Sequence, residues 1–240
     1  MTRKLLRSFS LVAALLLAAI LQQTALAGPP LLCHPIEIGD AKSLPWAGSN
    51  WRDVKKDYDL NRLTADTLAL LTPDAPVLAR METLRRATIY AVWAKRDSEV
   101  GITVGSNAIA EELQTKLMER VREAVRLNKS ASLALFDAGY LDACFKQAGY
   151  KSNVNTPSLA EGYAMVRKGS GHLGGNNPEI EFALAIISEH PRQPSHQEHL
   201  RRAVEGAQEG SLLARNLILH FGKPGQKLSA LRAQVAAVKK

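Results

Sequence analysis

Apolar side chains recur at every third or fourth position along most of the chain beyond residue 60. The pattern is clearest over 107–127, where one side of the segment is apolar and the other side is charged. The apolar positions are Ile109, Leu113, Leu117, Val121 and Val125. A period close to that of the α-helix is typical of a helix that buries one face against a core. The spacing therefore predicts an amphipathic helix in this segment.

The same period, together with helix start and stop residues, predicts further helices. They cover 64–71, 76–96, 130–148, 158–168, 177–189, 195–208, 211–221 and 226–238. The best strand candidate, 100–104, is short and lies next to glycine. We therefore predict an all-α fold of about eight or nine helices. The short connections favour either an irregular helical bundle or a degenerate stack of helical hairpins.

Two of the helix starts carry local capping signals. Asn177 precedes Pro178 and Glu179, an order that suits the cap and the first turn of a helix. Ser195 and Glu198 have the spacing of a capping box, in which two side chains bond the first free amides of the helix. We therefore expect well-defined helix starts at both places.

Residues 28–59 lack a sustained helical period and contain four prolines and three glycines. Trp46 and Trp51 lie within this segment, and a free segment rarely carries two such large apolar side chains. We therefore predict an irregular N-terminal arm that lies over a single helical domain. That domain covers 60–240 and has a basic C-terminal end.

The first residues have the three-part order of a secretory signal. Three basic residues precede an apolar run over 11–21, and Ala25 and Ala27 supply the small side chains that signal peptidase requires. The run is too short to span a membrane, and no later segment reaches the roughly 18 apolar residues of a spanning helix. We predict a cleavable signal peptide over 1–27, export to the periplasm or the medium, and a mature chain without a transmembrane segment.

Cys33 and Cys144 are the two cysteines of the chain. Thiols of an exported protein tend to pair, so we predict a disulfide between the arm and a helix in the middle of the chain. Closing so long a loop stabilises a fold by roughly 4 kcal/mol in the chain-entropy model. Two buried, reduced thiols are the alternative.

Positive charge is concentrated at the C-terminal end. The whole chain has a formal net charge of +8, and residues 192–240 contain nine basic and three acidic residues. The candidate anion contacts are Arg201, Arg202, Arg215, Lys223, Lys227 and Arg232. An exported protein rarely meets nucleic acid, so the predicted partner is a protein, an anionic envelope polymer or a lipid surface. A solubilising helix end is the alternative interpretation.

Three histidines within ten residues are the candidate metal ligands, namely His190, His196 and His199. The last two are three positions apart, so they share one face of a helix and can approach one metal ion. No H-E-x-x-H pair accompanies them, and solvated histidines at a helix start are the alternative. We predict no catalytic residue and no cofactor from the known motifs.

Residues 169–174 match the letters of the G-x-G-x-x-G motif. In dinucleotide-binding proteins that motif joins a strand to a helix, whereas a predicted helix precedes it here. We therefore predict a flexible loop over Gly169–Asn176. The amides at the start of the following helix are a candidate anion site.

Many amphipathic helices and the lack of a catalytic motif favour a binding or scaffold domain for an envelope or secreted partner. One alternative is a secreted hydrolase or metal-dependent enzyme with its site near the three histidines or the Gly169–Asn176 loop. Another is a carrier of a small apolar ligand with a pocket under the arm. A deep cleft with histidines and carboxylates would favour an enzyme, and an open groove would favour a binding domain.

Overall fold

The computed structural model describes residues 30–93, 108–150, 159–172, 177–189 and 195–238. The predicted signal segment 1–27 and the strand candidate 100–104 lie outside the described residues. Within these ranges every regular element is a helix, apart from one isolated β-bridge between Trp46 and Val54. The all-α prediction is confirmed.

Ten α-helices, numbered in chain order, lie in the described residues. They are α1 Pro30–Cys33, α2 Leu63–Leu70, α3 Val77–Trp93, α4 Ala108–Arg126, α5 Ser132–Gln147, α6 Leu159–His172, α7 Pro178–Glu189, α8 His196–Gly206, α9 Leu212–Phe221 and α10 Leu228–Ala237. A 3-10 turn at Leu60–Arg62 leads into α2. The helix that the periodicity did not predict is α1, a single turn at the start of the arm.

Three helices supply most of the buried core. α3 packs on α5 and α7, α5 also packs on α4 and α6, and α7 also packs on α6 and α8. Each Leu, Ile or Phe that these helices bury contributes about 1.5–3 kcal/mol to folding. Among the described residues, no helix combines the length and the apolar character that crossing a membrane requires.

α5 and α6 form an antiparallel hairpin in which the two backbones touch. A Cβ atom added to Gly139 on α5 would lie 2.6 Å from the carbonyl oxygen of Gly162 on α6. A Cβ atom added to Gly169 would lie 2.6 Å from the carbonyl oxygen of Ser132. Both distances are far below a van der Waals contact, so the helices can approach this closely only with glycine at these positions.

α7 and α8 form a second antiparallel hairpin. Pro178 at the start of α7 faces Gly206 at the end of α8. At the other end, the carbonyl oxygen of Ala185 accepts a hydrogen bond from the ring of His196. Consecutive helices therefore pair as hairpins in both of these regions of the helical bundle.

Residues 30–59 lie on α3, where buried charged side chains hold them. Arg85 donates a hydrogen bond of 2.9 Å to the carbonyl oxygen of Leu32. Glu82 accepts a hydrogen bond of 2.9 Å from the backbone amide of Ile36. Such bonds satisfy backbone groups that an irregular segment cannot pair within itself.

Both cysteines are free thiols in the structure, so the disulfide predicted from the sequence is absent there. α1 does pack on α5, the helix that carries Cys144. However, the Cys144 thiol is fully buried, while Cys33 is half-buried near Arg85 and Arg52. Burial raises the pKa of both thiols, which disfavours the reactive thiolate form.

Candidate functional site

Two of the three candidate metal ligands are buried on α8, and His190 lies outside the described residues. His196 Nδ1 donates to the carbonyl oxygen of Ala185 over 2.9 Å, and its ring packs near Phe221. Because of this bond the ring is fixed by the backbone of α7. The nearby His199 has different partners.

His199 lies in the middle of a hydrogen-bonded chain that crosses three helices. Its Nδ1 atom is 2.6 Å from Glu181 Oε2 on α7, and its Nε2 atom is 2.7 Å from the Tyr163 hydroxyl on α6. Tyr163 in turn donates to Ser195 Oγ over 3.0 Å. Glu181 and His199 are buried, whereas Tyr163 and Ser195 are half-buried. The chain therefore runs from a buried carboxylate to hydroxyl groups near the surface.

Both ring nitrogens of His199 are engaged within the fold. The Nε2 atom faces the Tyr163 hydroxyl and the Nδ1 atom faces the Glu181 carboxyl group. A metal ion would have to displace one of these partners. Among the described residues, no three His, Cys, Asp or Glu side chains are arranged to hold a metal.

Sequence reasoning missed this chain because its members are far apart in the sequence. Tyr163 lies 36 positions from His199, and Glu181 lies 18 positions from it. The capping-box prediction for Ser195 is wrong, since its side chain makes no capping bond and instead accepts from Tyr163. Glu198, the other predicted member of that box, pairs with arginines on its own helix.

The loop predicted over Gly169–Asn176 is in part a helix, because α6 continues to His172. Residues 173–176 lie outside the described residues. Gly169 packs against the backbone of α5, which explains the glycine without a phosphate-binding role. The predicted cap at Asn177 is confirmed, since its Oδ1 atom accepts from the amides of Glu179 and Ile180. The amides of the candidate anion site at the start of α7 are therefore already hydrogen-bonded.

Most arginines of the basic C-terminal end have partners within the fold. Arg201 pairs with Glu198 and Glu205, and the hydrogen bonds from Arg201 and Arg202 lower the pKa of Glu198 to about 2. Arg215 pairs with Glu37 of the arm over 2.7 Å. These pairs therefore engage three of the six candidate anion contacts within the fold.

The remaining three candidates at this end differ in exposure. Arg232 is half-buried and donates to the carbonyl oxygens of Val204 and Ala207. It therefore closes the end of α8. Lys223 and Lys227 are exposed and remain candidate anion contacts.

An open groove runs beside the second half of α4, where this helix passes α2. Its volume is about 770 Å³. The lining residues are Leu68, Lys116, Glu119, Arg120, Arg122, Glu123, Ala124, Arg126, Leu127 and Lys129. The apolar stripe of α4 faces the core, with Leu113 and Leu117 fully buried, so the groove lies on the charged side of the helix. The sequence pattern predicted a charged side here but no groove.

Arg120 joins the two walls of the groove. Its guanidinium donates to the carbonyl oxygens of Leu68 and Leu71, at the end of α2, over 2.8 and 3.2 Å. Within the lining, Lys116 pairs with Glu119 over 2.8 Å. Glu123 pairs in the same way with Arg126. The acidic side chains of the groove are therefore each matched by a neighbouring cation, and a positive surplus is left.

The chain matches no protein-family model, no curated protein and no solved structure. Its function is therefore inferred from its own residues.

Proposed function

We propose that the protein is a binding domain whose α4 groove receives an acidic, amphipathic helical segment of a partner protein. The observation that carries this proposal is the coincidence of a positive surplus and apolar side chains in one open groove. Helical segments that bind grooves present apolar anchors on one face and charged residues beside them. A groove with positive charge and apolar side chains is complementary to an acidic helical segment of this kind.

The charge of the lining selects an acidic partner. Five basic side chains and two acidic ones line the groove, a surplus of three positive charges. The two acidic residues, Glu119 and Glu123, are exposed and paired with neighbouring cations, so they oppose an acidic ligand weakly. Complementary charge of this kind speeds association and excludes basic partners.

Apolar side chains in and beside the groove supply the area that a partner would bury. Leu68 and Ala124 are half-buried, and Leu127 is 41% exposed. A water-exposed leucine side chain gains free energy when a partner covers it.

The test is binding of a fluorescein-labelled peptide of about 18 residues, with Glu and Leu at helical spacing, measured by fluorescence anisotropy. We expect saturable binding that weakens with added salt. Reversing two charges in the groove with Arg122→Glu and Lys129→Glu should weaken the affinity about tenfold or more. A matched peptide with Lys in place of Glu should not bind.

The control variant carries Lys223→Glu and Lys227→Glu, which change the same charges outside the groove. We expect its affinity for the acidic peptide to equal that of the unchanged protein. Equal losses in both variants would mean general charge attraction and would reject the groove. Binding to vesicles with anionic headgroups, without binding to the peptide, would reject a protein partner and favour a lipid surface.

We also propose that the protein is exported and that residues 1–27 are removed. The basic start, the short apolar run and the two alanines of the signal pattern support this. Cell fractionation followed by N-terminal sequencing tests it, with Gly28 expected as the first residue of an exported protein. A cytoplasmic protein that retains Met1 would contradict the proposal.

A further inference from the structure

A second cavity lies between the arm and the end of α3, away from the α4 groove. Its volume is about 640 Å³, which is within the range of small-molecule sites. The lining residues are Ala47, Arg52, Asp53, Val54, Lys56, Ile89 and Trp93. It is open to the surface, so it differs from the enclosed apolar cavity expected for a carrier.

Local bonds give the arm side of this cavity a defined shape. Trp46 and Val54 form the isolated β-bridge, and the amide of Ala47 donates to the carbonyl oxygen of Asp53 over 2.9 Å. The Asp53 carboxylate accepts from the amide of Asn50 over 2.8 Å. The turn is therefore closed by its own hydrogen bonds, and its carboxylate is already engaged.

Tyr90 on α3 holds the same turn in place. The Tyr90 hydroxyl donates to the carbonyl oxygen of Pro45 and accepts from the amide of Lys55. The Tyr90 ring also packs edge-on against Trp46, with ring centroids 5.8 Å apart. Because these contacts fix the turn on the helix, the cavity exists before any ligand enters.

One part of the cavity is apolar and another is cationic. Val54 and Trp93 are half-buried, and the Trp93 ring meets the Trp51 ring edge-on at 5.5 Å. Arg52 lies over the face of Trp51 at 5.0 Å, and Lys56 is exposed beside it. A planar apolar body can contact the first part while an anionic group meets the two cations.

We propose that this cavity binds a small planar anion, an aromatic carboxylate or sulfonate. The ring system packs against Val54 and Trp93, and the anionic group lies between the cations of Arg52 and Lys56. This site is independent of the α4 groove and of a protein partner.

The probe is 8-anilinonaphthalene-1-sulfonate, an aromatic sulfonate whose emission rises in apolar surroundings. The three tryptophans of the chain, Trp46, Trp51 and Trp93, all lie in or beside this cavity. Energy transfer from tryptophan to the probe should therefore accompany binding. Titration calorimetry should give one site per chain.

The variant Arg52→Gln with Lys56→Gln removes both cations from positions at the surface, where folding should be unaffected. We expect it to weaken binding of the probe about tenfold or more. The control variant, Arg122→Gln with Lys129→Gln, removes two charges from the α4 groove and should bind the probe like the unchanged protein. Equal affinity in the unchanged protein and the first variant would overturn the proposal.

A neutral analogue separates the two parts of the site. N-phenyl-1-naphthylamine has the same ring system without the sulfonate, and we expect it to bind at least tenfold more weakly. Removing the two cations should leave its affinity unchanged. If the neutral compound bound as tightly as the sulfonate, the site would be a general apolar surface and the proposed anion selectivity would be rejected.

Discussion

Glu82 and Glu181 are both buried carboxylates on central helices, yet their surroundings differ. Glu82 on α3 accepts two hydrogen bonds from Arg85 and one from Arg86, at 2.6 to 2.8 Å. The backbone amide of Ile36 adds a fourth bond. This carboxylate is therefore surrounded by four donors, three of them on two arginines that keep their charge at all pH values relevant to folding.

Glu181 on α7 has fewer and weaker charged partners. His199 Nδ1 lies 2.6 Å away, while the nearest atom of Arg202 lies at 3.6 Å. The second ring nitrogen of His199 bonds to the half-buried Tyr163 hydroxyl.

The Glu82 cluster holds two parts of the fold together, whereas the hydrogen-bonded chain of Glu181 extends toward the surface. Arg85 and Arg86 also donate to backbone carbonyls of the arm, at Leu32 and Leu44, so the Glu82 cluster attaches the arm to α3. Replacing one member of such a buried cluster leaves an uncompensated charge. The Glu181 chain ends at hydroxyl groups that water can partly replace, so it should tolerate change better.

The largest effect is expected from Glu82→Gln. The buried Arg85 would lose its counter-charge, and the variant should lose about 3–5 kcal/mol of unfolding free energy. Urea unfolding followed by circular dichroism measures this. A loss below about 1 kcal/mol would mean that water or another residue compensates the charge of Arg85. The Glu82 cluster would then not be what attaches the arm to α3.

Asp142 on α5 extends the comparison to a buried carboxyl group whose hydrogen-bond partner is the neutral side chain of Gln114. Its Oδ1 atom accepts from Gln114, and its Oδ2 atom has no hydrogen-bond partner. Burial raises the pKa of Asp142 from 3.8 to about 7. The folded chain therefore binds this proton more tightly than the unfolded chain, and stability falls as the pH rises from about 4 to about 7.

The variant Asp142→Asn should remove this fall. We expect it to be more stable than the unchanged protein at pH 8, by on the order of 1 to 3 kcal/mol, and similar to it at pH 4. Unfolding free energies measured across this pH range test the expectation. A destabilised variant at pH 8 would show that the ionised carboxylate has a favourable partner.

A matched pair of hydroxyl deletions compares the two regions directly. Tyr90→Phe removes two part-buried bonds that hold the arm and should cost about 1–3 kcal/mol, because the Pro45 carbonyl and the Lys55 amide both lose their partner. Tyr163→Phe removes the outer end of the Glu181 chain and should cost about 1 kcal/mol or less. Urea unfolding of both variants shows which of them loses more unfolding free energy. If Tyr163→Phe lost more unfolding free energy than Tyr90→Phe, the hydrogen-bonded chain of Glu181 would stabilise the fold more than the Tyr90 contacts with the arm do.

The smallest effect is expected from Glu205→Gln. This residue is exposed and pairs with Arg201, which keeps Glu198 as a second partner. Thermal unfolding of the variant should match that of the unchanged protein, because exposed ion pairs contribute little. A clear fall in the melting temperature would mean that the surface pairs of α8 act as a cooperative network.

Much of the fold could be predicted because helix signals are local. The period of apolar residues over 107–127 anticipated α4, and Asn177 anticipated the start of α7, since a cap bonds residues two or three positions away. Ser195 carries a similar local signal, but the Tyr163 hydroxyl engages its side chain from 32 positions away. A local rule fails where a distant side chain offers the same atom another partner.

By itself the sequence determined the helical class, most helix positions and the excess of positive charge, because these depend on residue type and spacing along one chain. Only the tertiary structure decided what Gly169 and His199 do. The glycine permits backbone contact between α5 and α6, and the histidine joins carboxylate and phenol groups from two other helices. Such roles depend on which surfaces meet when helices pack. The spacing of residues along the chain does not say which distant residues will meet.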